Sequence, residues 1–264
     1  MKKNRWSVVI LCSLLAVAIL CALPFLNKDG DGEKSPAGTL EDPTPATESV
    51  QKETAEPAPL PEGLSSRVEL SPEKEGEALS FPCELEGYGL VLEKLAPYDG
   101  IFLEDGTGRK VSRVAMLQVK NGGSLPVEYC ELGLSFAGEE LCFTLSALPV
   151  GATVLVQEKT GKALPDSPPL GAVATVIPRD RLELAEDRVK VKDNGDGSLT
   201  VTNLTGEDLS EVRIFYKYCK EGVYLGGIAF SLRVNGLSAK KSVTLKPAHF
   251  TSGECRVVMV QIEN

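Results

Sequence analysis

The chain has 264 residues and a formal net charge of −9, from 28 basic and 37 acidic side chains. This acidic excess argues against nucleic acid or anionic lipid as partners of the whole surface, because both repel a negatively charged protein. Aromatic residues are few while glycine and proline are frequent, which favours short strands joined by turns.

The first predicted element is an uncharged apolar run over residues 6–26. At about 1.5 Å of rise per residue, a helix of this length reaches roughly 30 Å, the thickness of the hydrocarbon core of a bilayer. Basic residues precede the run, at Lys2, Lys3 and Arg5. The positive-inside rule then predicts that residues 1–26 form a cytoplasmic tip and a transmembrane anchor, with residues 6–26 in the lipid bilayer and the remainder extracellular.

Two alternatives to an uncleaved anchor stay open. Ala16, Val17 and Ala18 fit the small-x-small pattern of a signal-peptidase site, and cleavage there would release a product that begins at Ile19. Lipid modification of Cys21 is the other alternative, although a bulky leucine precedes that cysteine where a small residue is expected. All three alternatives export the same remainder of the chain.

Residues 27–78 are predicted to be a disordered, acidic, Pro-rich linker. The segment is dominated by Pro, Glu, Thr, Ala and Ser, and so little apolar surface cannot offset the entropy of ordering the backbone. Acidic residues near its start imitate a calcium-binding loop, but Gly38 stands where the bidentate glutamate is required. We therefore predict no metal site in this segment.

After residue 79 the sequence alternates between short apolar runs and turn residues, which is typical of β-strands. The clearest hairpin pairs residues 189–191 with residues 199–201 across the turn at 193–197. Gly226 and Gly227 interrupt another strand-like run, so a bulge or a bend is expected there. These patterns predict an all-β fold.

The two halves of this region resemble each other. Val119-Lys120-Asn121 and Val201-Thr202-Asn203 each end a strand and lead through a polar turn into an alternating strand. We therefore predict two tandem β-sandwich domains, at residues 79–178 and 179–264. Chance likeness between two strand-rich segments is the alternative.

A family resemblance rests on the layout of the chain and on four stretches, residues 201–206, 214–218, 226–228 and 256–260. In these features the chain resembles single-pass membrane-anchored proteins of anaerobic Gram-positive bacteria, which carry a Pro/Glu-rich stalk and an immunoglobulin-like β-sandwich ectodomain. The resemblance implies that the two predicted domains are immunoglobulin-like. These stretches are structural, so the resemblance implies a fold and supplies no functional residues.

Five cysteines follow the linker, at positions 83, 130, 142, 219 and 255. Cys219 and Cys255 have the parity of the outer face on their predicted strands, so a disulfide between them is a candidate if the two strands are neighbours. Two free thiols are the alternative, because many anaerobes keep few disulfides.

Aromatic residues cluster in the second predicted domain. Phe215 and Tyr224 are candidates for an exposed binding patch. Burial of both side chains in the core is the favoured alternative.

No set of residues in the sequence points to catalysis. His249 is the only histidine, in a loop before the last strand, and a catalytic serine or cysteine would need such a base within reach. We therefore predict no enzyme activity, no catalytic or metal-binding residues and no cofactor.

These observations predict a membrane-anchored extracytoplasmic binding or scaffolding protein, with an unknown extracytoplasmic protein or cell-wall partner and no nucleic acid. The alternative is an accessory subunit of a membrane-bound envelope assembly, such as an export, pilus or cell-wall machine.

Overall fold

The computed structural model describes residues 66–71 and 77–263. The predicted anchor at residues 6–26 and the linker up to residue 65 lie outside the described residues. Among the residues that are described, no helix has the length and hydropathy needed to cross a bilayer. The described part is built from strands in several sheets, which confirms the all-β prediction for this part of the chain.

Residues 66–178 contribute eight strands, which we number in chain order. They are β1 (Ser66–Leu70), β2 (Cys83–Leu85), β3 (Leu90–Ile101), β4 (Lys110–Asn121), β5 (Val127–Ser135), β6 (Glu140–Leu148), β7 (Thr153–Gln157) and β8 (Gly171–Pro178). One sheet has the order β1-β8-β5-β6, and β2, β3, β4 and β7 lie side by side in a second sheet. Apolar side chains of both sheets meet in a first core, which includes Leu92, Leu117, Leu132, Phe143 and Val156.

Residues 179–263 contribute six further strands. They are β9 (Val189–Asp193), β10 (Leu199–Asn203), β11 (Leu209–Lys220), β12 (Val223–Leu237), β13 (Ser242–Leu245) and β14 (Cys255–Glu263). The predicted hairpin of β9 and β10 is confirmed, because the two strands pair antiparallel from Val189 to Asn203. A three-stranded sheet has the order β13-β10-β9, and β12, β11 and β14 pair side by side.

The second half has two apolar clusters of its own. The second core contains Val189, Val201, Val212, Ile214 and Leu237 among others. A neighbouring aromatic cluster consists of the buried residues Leu199, Tyr216, Phe230 and Phe250. Each half of the chain therefore encloses apolar side chains between two layers of strands.

The two halves repeat one pattern of strand pairing. In the first half, β3 pairs with β4, β4 with β7, and β5 with both β6 and β8. In the second half, β9 pairs with β10, β10 with β13, and β11 with both β12 and β14. A buried asparagine ends the second strand of each pattern, Asn121 in one half and Asn203 in the other.

A parallel strand pair joins the two halves. Thr153–Leu155 of β7 pair with Val223–Leu225 of β12, which makes a seven-stranded sheet of order β14-β11-β12-β7-β4-β3-β2. The predicted domain boundary between residues 178 and 179 lies between β8 and β9 in the chain, while this sheet runs across both halves. The two-domain division stays a prediction.

The structure differs from the linker prediction at residues 66–70. This segment is β1, which pairs antiparallel with β8 over all five residues. Val68 and Leu70 pack against the first core while Arg67 and Glu69 are exposed, so the alternation of a half-buried strand is present in four residues. The surrounding Pro-rich and acidic composition hid this short pattern.

Candidate functional site at the junction of the two halves

The structure contains no bond between Cys219 and Cys255, and both are free thiols. Their strands β11 and β14 are neighbours, as the disulfide prediction required, but Cys255 lies opposite Tyr218. Cys219 belongs to the first core, whereas Cys255 packs against the aromatic cluster on the other face of the sheet. Side chains on opposite faces of a sheet point apart, so this register does not favour the bridge.

Phe215 and Tyr224 also face the first core. Tyr224 is buried opposite Cys219, and Phe215 is partly buried. The structure therefore places both aromatic side chains where the core alternative expected them, and they do not form an exposed patch. His249 stacks on Phe230 with ring centroids 4.7 Å apart, so it packs beside the aromatic cluster.

Strand β11 is covered on both faces near its end, and this explains these placements. Tyr216 lies in the aromatic cluster of the second half, while Cys219, three residues later, lies in the first core. The face that would be solvent-exposed in an isolated second half is covered by the first half. Lys217 is consequently buried, with an exposed fraction of only 1%.

The Lys217 ammonium group is held by two backbone carbonyl groups. Its Nζ donates to Ser146 O of β6 at 2.9 Å and to Gly227 O of β12 at 2.5 Å. Ser146 O belongs to an edge strand of the first half, so Lys217 satisfies an acceptor that a buried edge would otherwise leave unpaired. A side chain of the second half thereby binds the backbone of the first half.

Glu104 lies in the turn between β3 and β4 and binds the backbone of the second half. Its carboxylate accepts the Gly227 N–H at 2.9 and 3.0 Å, and it also accepts the N–H of Gln157 at 2.9 Å. A longer bond of 3.4 Å comes from Ile228. A carboxylate that accepts several backbone N–H groups is well suited to hold two segments together.

Gly227 therefore connects the two charged groups. Its N–H donates to Glu104 and its carbonyl oxygen accepts from Lys217, so one peptide segment lies between a carboxylate and an ammonium group. The hydroxyl of Ser146 adds two more bonds, donating to Gly227 O at 3.2 Å and accepting from Ala229 N at 2.8 Å. We call Glu104, Ser146, Lys217 and Gly227 the junction network.

Of the two alternatives predicted at Gly226 and Gly227, the structure has a bulge, and the bulge makes this close approach possible. Tyr216 pairs with Phe230, and Tyr218 pairs with Leu225. Between these two pairs β11 has one residue whereas β12 has four, so the register shifts. A Cβ atom on Gly227 would come within 1.7 Å of Thr144 O on β6. Only glycine lets the two backbones come this close together.

Burial changes the proton affinity of both charged groups. Removal from water lowers the pKa of Lys217 from its ordinary value of 10.5 to about 7, although the Glu104 charge acts in the opposite direction. Burial raises the pKa of Glu104, and the N–H groups of Gly227 and Gln157, together with the Lys217 charge, partly offset this shift. Glu104 is the charged group that acts on Lys217, so the two side chains titrate as a pair.

This pair predicts a particular pH dependence. Because the pKa of Lys217 is lower in the folded protein, the unfolded chain binds more protons than the folded chain between pH 7 and 10.5. The free energy of unfolding therefore increases as the pH rises through this window. Relative to Lys217→Met, the wild type should gain about 1.6 kcal/mol between pH 7 and 8.5. Urea denaturation of both proteins at a series of pH values measures the difference, and a flat or falling difference would contradict the lowered pKa.

A groove of about 840 Å³ lies outside the junction network. Its lining includes Arg113, Glu139, Lys162, Leu164 and Asp166. Arg113 and Asp166 form an ion pair of 3.1 Å, with side chains 63% and 98% exposed, and Lys162 Nζ donates to Glu140 O. Exposed ion pairs of this kind contribute little energy, so the groove gives a weaker basis for a functional site than the buried network.

Sequence reasoning did not identify Glu104, Ser146 or Lys217. The signal that was available was the double glycine, which indicates close approach of another backbone but does not say which one. Lys217 stands between two tyrosines at the parity of an outer face, so its sequence context resembles that of a solvent-exposed lysine. Its burial follows from the packing of one half on the other.

Comparison with known proteins finds no family model that matches the chain, and no curated protein matches it either. The fold itself defines the class: the described part is an all-β protein made of several packed sheets. What the junction network can do chemically is restricted by its bonds. Its carboxylate and ammonium groups are turned toward backbone partners, which suits them to fix the position of one half against the other.

Proposed function

We propose that this chain is a non-enzymatic, membrane-anchored extracytoplasmic binding or scaffolding protein whose two immunoglobulin-like units act as one rigid module. The observation that carries the proposal is the junction, where a shared sheet and a buried network of charged groups join the two halves. A scaffold must transmit position from its attachment point to its exposed surfaces. A rigid joint between the two halves does this, whereas a flexible joint would not.

The strand order supports an immunoglobulin-like assignment. In the first half β3, β4 and β7 lie side by side, and so do β6, β5 and β8. In the second half β9, β10 and β13 lie side by side, and so do β12, β11 and β14. In immunoglobulin-like sandwiches, strand B likewise lies beside E in one sheet and strand C beside F in the other. Six strands of each half correspond to that order, and in the first half β1 is a further strand beside β8.

The sequence supplies the cellular part of the proposal. An apolar run with basic residues before it and a Pro-rich segment after it would place the two units outside the cell, at a distance from the membrane. The acidic surface would then keep the module soluble beside anionic lipid. A rigid module on a tether fits the presentation of a binding surface to an envelope partner.

Labelling of intact cells tests the location. An amine reagent that does not cross membranes should label the exposed Lys190 and Lys192 of the β9 strand before lysis, while a cytoplasmic control protein stays unlabelled. Labelling of these lysines only after lysis, with an exported control protein labelled in intact cells, would overturn the proposed topology.

Photo-crosslinking in the same cells tests the binding role. A photoreactive amino acid at Leu184 or Val150, both exposed, should give a discrete adduct with an envelope component. The matched control places it at Arg67, on the exposed face of β1 close to the tether. Adducts absent from every exposed position across the module would overturn a binding role.

A further inference from the structure

The end of the β11–β12 hairpin lies between the two halves and contacts both. Val223–Leu225 pair with β7, and Cys219 and Tyr224 of this hairpin belong to the first core although they come from the second half, as does Val258 of the neighbouring β14. The opposite end of the same hairpin belongs to the second core, through Val212 and Leu237. One long hairpin thus connects two packed regions that each have further apolar contacts of their own.

We propose that the junction network is a reversible latch, which releases the end of the β11–β12 hairpin from the first half while both sandwiches stay folded. The closed latch is the rigid joint of the proposed scaffold, and the latch goes beyond that function because it gives the module a second, open arrangement. Opening would free the edge of β7 at Thr153–Leu155, and an unpaired strand edge is a template for strand addition.

The energetics of the network favour a latch over a permanent joint. Burial of a carboxylate and an ammonium group costs desolvation energy, which their hydrogen bonds and mutual attraction only partly return. On opening, Glu104 and Lys217 regain water, so their charges oppose closure while their hydrogen bonds maintain it. The lowered pKa of Lys217 agrees with a group that gains hydration when it is released.

The separate clusters allow each half to survive this opening. The second core and the aromatic cluster contain residues from 189 to 260 only, and most of the first core comes from residues 79–176. Opening exposes the few side chains that the hairpin end contributes to the first core. Proteins commonly open in such local units at lower free energy than global unfolding.

Two native cysteines can measure this opening. Cys219 is buried at the hairpin end, whereas Cys130 is fully buried in the first core, on β5. A thiol reagent reaches Cys219 when the latch opens, but it reaches Cys130 only when the first half unfolds. The ratio of the two alkylation rates, measured by peptide mass spectrometry, therefore separates latch opening from global unfolding.

The test compares Glu104→Gln with Glu158→Gln in the full chain at one pH. Both variants replace a carboxylate that accepts backbone N–H groups by an amide that also carries N–H donors. The two sites differ in location, because the buried Glu158 binds the backbone of Thr160 and Lys162 within the first half, whereas Glu104 binds the second half. Glu104→Gln should raise the alkylation rate of Cys219 at least about tenfold and raise the Cys130 rate with it, because the bonds that it removes are absent from both the open and the unfolded state. Glu158→Gln should raise the Cys130 rate and leave the Cys219 rate unchanged, because the bonds of Glu158 stay formed when only the latch opens.

No increase at Cys219 in Glu104→Gln, or equal increases at both cysteines in Glu158→Gln, would overturn the latch. If Glu104→Gln does not fold, the wild type still decides the question through the urea dependence of alkylation below the unfolding transition. Local opening exposes less surface than global unfolding, so the Cys219 rate should depend less steeply on urea than the Cys130 rate. Identical slopes for the two cysteines would show that only global unfolding exposes Cys219.

Discussion

Gly227→Ala is expected to force β12 away from β6 and to lower the free energy of unfolding by about 3 kcal/mol or more. The added Cβ would lie 1.7 Å from Thr144 O and 2.7 Å from Val156 Cγ2, and the first of these is a backbone atom that cannot rotate away. Separation of the two strands would also lengthen the bonds from Gly227 to Glu104 and Lys217. The substitution therefore combines steric overlap with the loss of paired charges.

Gly206→Ala is the matched control for this prediction. A Cβ at Gly206 would have no atom within 4 Å, so the same change should stay within about 0.5 kcal/mol of wild type. Urea denaturation followed by circular dichroism measures both variants. A Gly227→Ala protein as stable as Gly206→Ala would show that β12 and β6 do not approach as closely as the structure has them.

Most of the strands could be predicted from the sequence, because each encodes its own pattern, whereas β1 lies in the segment predicted to be a linker. The hairpin of β9 and β10 shows apolar alternation on both sides of a Gly-rich turn, and the structure confirms it. The bulge in β12 is equally local, since two adjacent glycines interrupt a strand-like run. Patterns of this kind need only the period of the strand and the conformational freedom of glycine.

The junction could not be predicted, because it depends on which strands meet across the two halves. The parallel pair of β7 and β12 joins a strand of the first half to a strand of the second half, and the sequence of neither strand specifies its partner. The sequence predicts an outer face for Cys219, and Lys217 has the same parity, because alternation gives the parity of a side chain but not what covers that face. Glu104 stands in a polar turn, where a carboxylate is normally expected to be solvated.

A buried asparagine at the end of a strand occurs at corresponding positions of the two halves and makes the same kind of hydrogen bonds in both. Asn121 donates to the carbonyl oxygens of Leu125 and Leu148, and Asn203 donates to those of Glu207 and Leu237. Each therefore ties the end of its strand to the turn that follows it and to the end of a strand in the facing sheet. The likeness between the two strand ends, visible in the sequence, coincides with one hydrogen-bond arrangement.

Asn121→Ala and Asn203→Ala are each expected to lower the free energy of unfolding by about 2–4 kcal/mol, because alanine leaves several buried polar groups without a partner. Both asparagines have an exposed fraction of 0%. The Nδ2 group of each donates to two backbone carbonyl groups, and the Oδ1 atom of each accepts the N–H group two residues later. The costs of the two substitutions should therefore be similar.

Asn194→Ala is the control, because Asn194 is exposed and its amide binds two side-chain hydroxyl groups, so a cost within about 0.5 kcal/mol is expected.

Hydrogen exchange adds a test of the two-domain division. If residues 79–178 and 179–264 are separate cooperative units, Asn203→Ala should speed exchange in β10, β11 and β13 much more than in β4, β5 and β7, and Asn121→Ala should do the reverse. Equal acceleration throughout both halves would contradict two units, and an Asn203→Ala protein as stable as Asn194→Ala would contradict the structural role of the buried amide.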